Sequence, residues 1–478
     1  CRNPGQPDLQ RGAGMSMRPV IVGGGSAGMA AAIELANEGV GSVLIDEASR
    51  PGGVVFRGPL RGGVDVGYLG ARYSKALGKL HADFATCARH IDLRLNSRVV
   101  GADNQNLMVL DEQEQLQPVG YEQLVLAAGC HERNVPFPGW TLPGVMLLGG
   151  LQLQIKSNVV KPLGRTLIAG TGPLLPLVAC QLHAAGAKVT GVFEACAFSR
   201  IARETLALMN KPQLFLDGLS MLGYLKLHGI PMHYGWGVVA ARGEGELSEV
   251  SVAPYDQAWQ ADLKRVQRES VQTLAVGYGF IPRTQLSQQL GLAHGYSADG
   301  YLRAEYNAWQ QSNLPHIHLA GDMAGIRGGE AAMLTGRIAA VSILHQRGVL
   351  NAEQAIERRE RYLGQLAGIG RFRSGVERYT ARGPAQVELP QADTVICRCE
   401  QVTRDAIDLA LQQGVQDMAG LKMRTRVSMG DCQGRMCVGY CSDRLRAATG
   451  RADVGWLRPR FPVDPVPFSA FKHLGTEA

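Results

Sequence analysis

Cys397 and Cys399 flank one residue, Cys432 and Cys437 flank four, and 32 residues separate the two pairs. Two close thiol pairs, each in a turn, can bring four thiolates around one small inorganic centre. Gly430, Gly434 and Gly439 leave backbone room beside the second pair. Three chemistries compete. Zinc also takes four cysteines, but its structural sites usually space both pairs by two to four residues, and a Cys-x-Cys half suits it less. Disulfides need an oxidising compartment. A [2Fe–2S] cluster fits the spacing best, with zinc as its rival and a metal-free site as the third reading. Cys441, about one helical turn past Cys437, is expected to pack rather than ligate. Cys87, Cys130, Cys180 and Cys196 are single in sequence and read as buried small hydrophobes.

A second chemistry lies near the start. In RPVIVGGGSAGMAAAIELANEGVGSVLIDEA, residues 18–48, a strand at Pro19–Val22 runs into Gly23-x-Gly25-x-x-Gly28. An alanine-rich helix follows, then a strand, Ser42–Ile45, that ends at Asp46 and Glu47. Gly23 makes the tight turn, Gly25 admits a pyrophosphate to the backbone, and Gly28 lets helix and strand pack closely. Ser26 and Ala27 stand at the helix N-terminus, whose free N–H groups and positive dipole favour phosphate. Asp46 can accept hydrogen bonds from an adenosine ribose. Further pieces lie downstream: Gly53 in the turn Arg50-Pro51-Gly52-Gly53, Val99, and Ala128 and Gly129 at the end of LVLAAG. Gly321 and Asp322 follow another strand, and Gly329 and Ala331 open another helix. A carboxylate at such a strand end can hold a ribityl hydroxyl.

Residues 165–194, RTLIAGTGPLLPLVACQLHAAGAKVTGVFE, repeat the design with a defect. Gly170 and Gly172 are present, Leu175 stands where the third glycine belongs, and Glu194 falls near the ribose-acid position. An empty or repurposed site and a working nucleotide site both stay open. Arg200 and Arg203 are the nearest arginines and form no evident 2′-phosphate cluster, so NADPH is not favoured. No Cys-x-x-Cys of a disulfide reductase occurs.

These motifs need substantial scaffolding. The chain's 478 residues allow two or three domains, and 45% hydrophobic against 19% charged residues describes globular material. The net charge of +7 is spread along the chain and is no nucleic-acid signal. Leu142–Ile155, the most apolar stretch, is too short to span a membrane. The expected organisation is a tag or unstructured segment over 1–16 and a flavin-nucleotide domain in two parts, 17–150 and 281–345. Between those parts lies a degenerate nucleotide domain over 151–280. A charged helical linker covers 346–391, with a helix at Ala352–Leu366. The cysteine domain covers 392–445, with Thr403 and Asp405 starting a helix at Arg404–Gln412. A proline-rich tail over 446–478 is expected to dock on a partner. Without a secretory signal, a cytoplasmic location is expected.

The first set of motifs resembles two-dinucleotide-domain flavoproteins related to thioredoxin reductase, over roughly residues 17–345. This implies an α/β, Rossmann-type fold that binds FAD. The cysteine spacing resembles the bacterioferritin-associated ferredoxin-like (BFD-like) [2Fe–2S] domain, small and α-rich, with Cys397, Cys399, Cys432 and Cys437 as the implied ligands. Their order resembles the larger electron-transfer subunits of multi-subunit amine and amino-acid dehydrogenases. That family includes hydrogen cyanide synthase B subunits and the alpha subunits of opine and hydroxyproline dehydrogenases. RPVIVGGGSAGMAAAIEL and PGGVVFRGPLRGG look most like the cyanide synthase members.

The resemblance implies a complex that oxidises glycine to cyanide and carbon dioxide. A glycine-oxidase-like FAD subunit would oxidise the C–N bond, and a small [2Fe–2S] ferredoxin-like subunit would be the third member. This chain would relay electrons and carry no acid–base catalyst. FMN at a subunit interface, and an adenine nucleotide in place of FAD, occur in relatives. Peripheral membrane association would come through the complex. A stand-alone NAD(P)H-dependent reductase is the reading from another class; Leu175 and the missing Cys-x-x-Cys weigh against it.

Overall fold

A computed structural model describes residues 17–61, 64–297 and 300–473. The segment 1–16, expected to be a tag or unstructured, lies outside the described residues.

The first glycine motif belongs to a five-stranded parallel sheet. Its spatial order is Ile317–Leu319, Leu124–Leu126, Val20–Val22, Ser42–Ile45, Ile91–Arg94. Both faces are covered, and strand alternation divides the side chains between them. Ile21, Leu44 and Val125 join the core under the helices Ser26–Asn37 and Gly329–Gln346. Val20, Val22, Val43, Ile45, Leu124 and Leu126 join the opposite core. That core is shared with the antiparallel strands Arg98–Ala102, Asn106–Leu110 and Leu116–Gly120. The alanine-rich helix can approach its neighbour because both present small residues: a Cβ on Gly336 would collide with the carbonyl of Ala27.

The second glycine motif heads another parallel sheet, ordered Met232–Tyr234, Lys188–Glu194, Arg165–Gly170, Thr273–Gly277, Val145–Leu147. The apolar stretch at Leu142–Ile155 supplies its edge strand, a short helix, Leu148–Leu153, and the start of a π-helical turn. Among the described residues no helix is long and apolar enough to cross a membrane.

The helix expected over Ala352–Leu366 runs on to Thr380. Gly364, Gly368 and Gly370 weaken helix propensity by about 1 kcal/mol each. Packing outweighs this, because Ile369, Val376 and Tyr379 continue the buried stripe begun by Ala355, Tyr362 and Leu366. Asn351 and Gln354 close the N-terminus with a capping box, and the Tyr362 hydroxyl donates to the buried Glu34 carboxylate at 3.0 Å. The cysteine segments form a two-stranded ribbon, Val395–Cys397 with Val402–Thr403, and the helices Arg404–Gln412, Met418–Thr425 and Val438–Thr449. Ile396, Ile407, Leu421 and Leu445 fill their core. As the sequence suggests, Thr403 caps the first helix by accepting from Ala406 N–H.

His318 is fully buried between the first sheet and the helix Gly329–Gln346, with Nε2 2.9 Å from Ser342 Oγ. Burial pushes its pKa down to about 3. The unfolded chain therefore takes up a proton below its ordinary value near 6.5 that the native chain refuses until about pH 3. The stabilisation is present above pH 6.5 and declines with acidification, by about 2 kcal/mol at pH 5. Urea titrations of wild type and His318→Asn at pH 7 and pH 5 should show a pH penalty smaller by about that amount in the variant; equal penalties would contradict it.

Candidate nucleotide cleft and cysteine centre

The C-terminal ends of the first sheet open into a cleft with a cavity volume of about 190 Å³. Gly23, Gly25, Ser26, Ala27, Asp46, Glu47, Gly53, Val99, Ala128, Gly129, Gly321 and Asp322 all line it. Gly28, Gly329 and Ala331 stand outside the lining. Gly28 faces the other way, and a Cβ there would collide with the Gly23 carbonyl. Ala331 points into the helix-side core while its neighbour Ala332 takes the place at the cleft. A Cβ on Gly329 would meet the Phe56 ring.

Asp46 is held rigidly, accepting from Gly24 N–H at 2.5 Å and Ala48 N–H at 2.7 Å, while burial raises its pKa. Burial would also raise Glu47, but Arg283, Arg98 and Arg435 around it hold its carboxyl below the ordinary range. Asp322 accepts from Arg327 N–H at 3.2 Å and from the Cys130 thiol at 3.6 Å. The reading of Cys130 as a small core hydrophobe changes here, because the residue lines the cleft. Its thiol is pushed up by burial and by the neighbouring Asp322, so it stays protonated.

Sequence reading misses a set of cations. Arg57, Arg283 and Arg435 all line the cleft, and each has a buried Nε without a hydrogen-bond partner. At Gly129, with φ +73°, a Cβ would meet nothing within 4 Å. Three arginines in the wall and glycine-walled space beside a helix N-terminus fit a dinucleotide phosphate chain, and FAD is the group the family implies. Arg57 follows the Gly52-Gly53 turn closely enough to have been suspected. Arg435, Val463 and Asp464 carry no local signal.

The tail read as docking on a partner packs on this chain. Val463 N–H donates to Val100 at 2.7 Å, and its side chain is buried beside Val99. The Phe461 ring takes the space a side chain at Gly101 would need, and Asp464 pairs with Arg435. A short sheet edge with apolar neighbours gives the proline-rich segment a partner within its own chain.

The second glycine turn is arranged differently. Glu194 is buried, accepting from Gly172 N–H at 2.8 Å and Cys196 N–H at 2.9 Å, and burial raises its pKa to about 7. The last turn of the helix Ala352–Thr380 lies over this motif. A Cβ on Gly172 would stand 3.3 Å from the Thr380 methyl, and Tyr379 and Val376 pack on Cys196. Leu175, in place of the third glycine, is fully buried in its own domain. These residues do not fit a pyridine dinucleotide over the turn at Gly170 and Gly172.

The four cysteines of the C-terminal domain come together as two facing pairs. Cys397 lies within hydrogen-bonding reach of Cys437, and Cys399 of Cys432. Gly430 permits this, since a Cβ there would collide with that of Cys399. The hydrogen bond to Cys437, then burial, push the Cys397 thiol up, so four thiolates held together need a cationic centre among them. Among the described residues no three His, Cys, Asp or Glu side chains are arranged to hold a single metal ion. Paired thiols suit a two-iron cluster better than one tetrahedral zinc. Cys441 is fully buried, with its thiol against Cys437.

The cysteine loop abuts the cleft. His131, next to Cys130, lies beside the Arg435 backbone, and Asn134 Nδ2 donates to the Met436 carbonyl at 3.4 Å. Trp140 Nε1 donates to the Val395 carbonyl at 2.6 Å, and the Tyr296 hydroxyl to the Gly455 carbonyl at 2.7 Å.

The pyridine nucleotide-disulphide oxidoreductase family matches residues 17–357, and the BFD-like [2Fe–2S] binding domain matches residues 395–446. The first implies FAD, the second a [2Fe–2S] cluster. The hydrogen cyanide synthase protein HcnB of Pseudomonas aeruginosa is 76% identical over 464 residues, 97% of this chain and 100% of that protein. The A subunit of opine oxidase from Agrobacterium tumefaciens is 30% identical over 477 residues, 95% of this chain and 91% of that protein. The structure of L-proline dehydrogenase from P. horikoshii shares the fold with a TM-score of 0.65 and 18% identity, covering 95% of this chain and 79% of that one. The chain belongs to the HcnB family of hydrogen cyanide synthase components, oxidoreductase subunits that join a flavin-nucleotide fold to a BFD-like [2Fe–2S] domain.

Proposed function

We propose that this chain is the electron-relay component of a hydrogen cyanide synthase, passing on the electrons released when a partner oxidises glycine to cyanide and carbon dioxide. The observation that carries the reading is the seating of the cysteine loop, through Arg435, in the wall of the dinucleotide cleft. When bound, FAD accepts electrons in pairs and a [2Fe–2S] centre carries them singly. Gly23, Gly25 and Gly129 would admit the dinucleotide to the backbone, Asp46 would meet its ribose, and Arg57 and Arg283 would face its phosphates. Cys397, Cys399, Cys432 and Cys437 would hold the cluster. No residue of this chain is assigned acid–base work. The helix turn over Gly172 argues against NAD(P)H as donor and for a protein donor.

The proposed partners are a glycine-oxidase-like FAD subunit plus a small [2Fe–2S] ferredoxin-like one, with any membrane contact made through the complex. The complex co-expressed with those partners, given glycine and an artificial electron acceptor, should release cyanide. The isolated chain should oxidise NADH no faster than a buffer control. Acceptor reduction with hydroxyproline or an opine, and no cyanide from glycine, would transfer the relay role to another amino-acid dehydrogenase. Rapid NADH oxidation by the isolated chain would overturn it.

A further inference from the structure

Arg435 belongs to two sites at once. In sequence it lies between Cys432 and Cys437, on the loop that supplies half of the cysteine centre. In space its guanidinium lines the dinucleotide cleft, pairs with Asp464 from the tail, and leaves a buried Nε without a partner. The His131 side chain of the first domain lies beside the backbone of the same residue, and Asn134 Nδ2 donates to the carbonyl of the next at 3.4 Å. His131 follows Cys130, which lines the cleft, in the strand Cys130–Glu132. One short strand therefore contributes to the cleft and borders the cysteine loop.

We propose that Arg435 is a positioning residue that links occupancy of the dinucleotide cleft to the integrity of the cysteine centre. A dinucleotide in the cleft offers anionic phosphates and ribose oxygens to the Arg435 side chain that lines it, and charge-assisted bonds of this kind are the strong ones. Each bond made there restrains the loop carrying Cys432 and Cys437. Because coupling is reciprocal, a seated cluster also presents Arg435 to the dinucleotide and tightens its binding. The linkage presupposes that the chain carries both FAD and a cluster, as its relay role requires, and is independent of the substrate oxidised by the partner.

The experiment uses the full-length chain with its cluster assembled, stripped of FAD and then titrated with FAD. Two quantities are read: FAD affinity by fluorescence quenching, and the rate at which a ferrous chelator removes iron with and without saturating FAD. In the wild type, FAD should slow iron loss at least threefold. In Arg435→Ala the FAD dissociation constant should rise at least tenfold, and saturating FAD should no longer slow iron loss. Arg435→Lys, which keeps the charge, should recover part of both effects. Arg57→Ala, which touches the cleft but not the loop, should weaken FAD binding while leaving the protection by saturating FAD intact. A chain that binds FAD and iron normally, yet protects its iron equally well in Arg435→Ala, overturns the linkage and leaves the relay role standing. A chain that takes up no FAD overturns both.

Discussion

Changing Cys437 to serine is expected to strip the [2Fe–2S] centre and to lower cyanide formation by the assembled enzyme at least 100-fold, about 2.7 kcal/mol or more in transition-state terms, while flavin stays bound. Cys437 is fully buried, and its thiol faces that of Cys397 at the heart of the small domain. A serine hydroxyl there is a hard, protonated oxygen where iron–sulfur chemistry needs a soft thiolate. Cys441 is the one complication, because its thiol lies against Cys437 and could substitute for it. Cys441→Ser alone should keep the cluster, and Cys437→Ser with Cys441→Ser should be no worse than Cys437→Ser. Iron and sulfide per chain, and the electron paramagnetic resonance signal after reduction, report the centre directly. Full iron content in Cys437→Ser with Cys441→Ser would exclude Cys437 as a ligand.

The second large effect is expected at Gly28. Alanine there places a methyl against the backbone carbonyl of Gly23, and neither partner is a side chain that can rotate away. The helix Ser26–Asn37 must lift from its strand, which separates the N–H groups of its first turn from the cleft. Overpacking a core costs about 1–3 kcal/mol when side chains can yield, and rigid backbone puts Gly28→Ala at or above the upper end, about 3 kcal/mol. Flavin per chain should fall below one tenth, and the urea midpoint should fall with it. Gly364→Ala is the matched control: Gly364 is exposed within the helix Ala352–Thr380, and its added methyl meets nothing. That change should stabilise the chain by about 0.5–1 kcal/mol. A Gly28→Ala protein with wild-type flavin content and stability would show that close packing at this turn is dispensable.

Local chemistry was legible without coordinates wherever it is written in neighbouring residues. The turn Gly23-x-Gly25-x-x-Gly28, the acid at Asp46, the strand ends at Gly129 and Gly321, and the paired cysteines each depend on a short stretch whose backbone geometry follows from residue type. The same locality explains why the helix capped by Thr403 was placed correctly, and why the glycine-interrupted helix after Asn351 was expected to be fourteen residues shorter at its C-terminus than the observed span to Thr380.

The tertiary structure alone decided what closes each site. Arg435 and Asp464 reach the first cleft from the far end of the chain, and Tyr379 and Thr380 settle over the second glycine turn from a helix that looked like a tether. Nothing in their neighbouring sequence marks these residues. Their roles arise because apolar stripes at Ile369, Val376 and Val463 must be buried somewhere, and the surfaces that bury them happen to carry the charged and polar groups into place. Sequence determined which cofactor chemistries this chain can hold, since those depend on donor type and short-range spacing. Only long-range packing decided that the cysteine loop and the dinucleotide cleft share a wall and that the second nucleotide fold is covered by the chain itself.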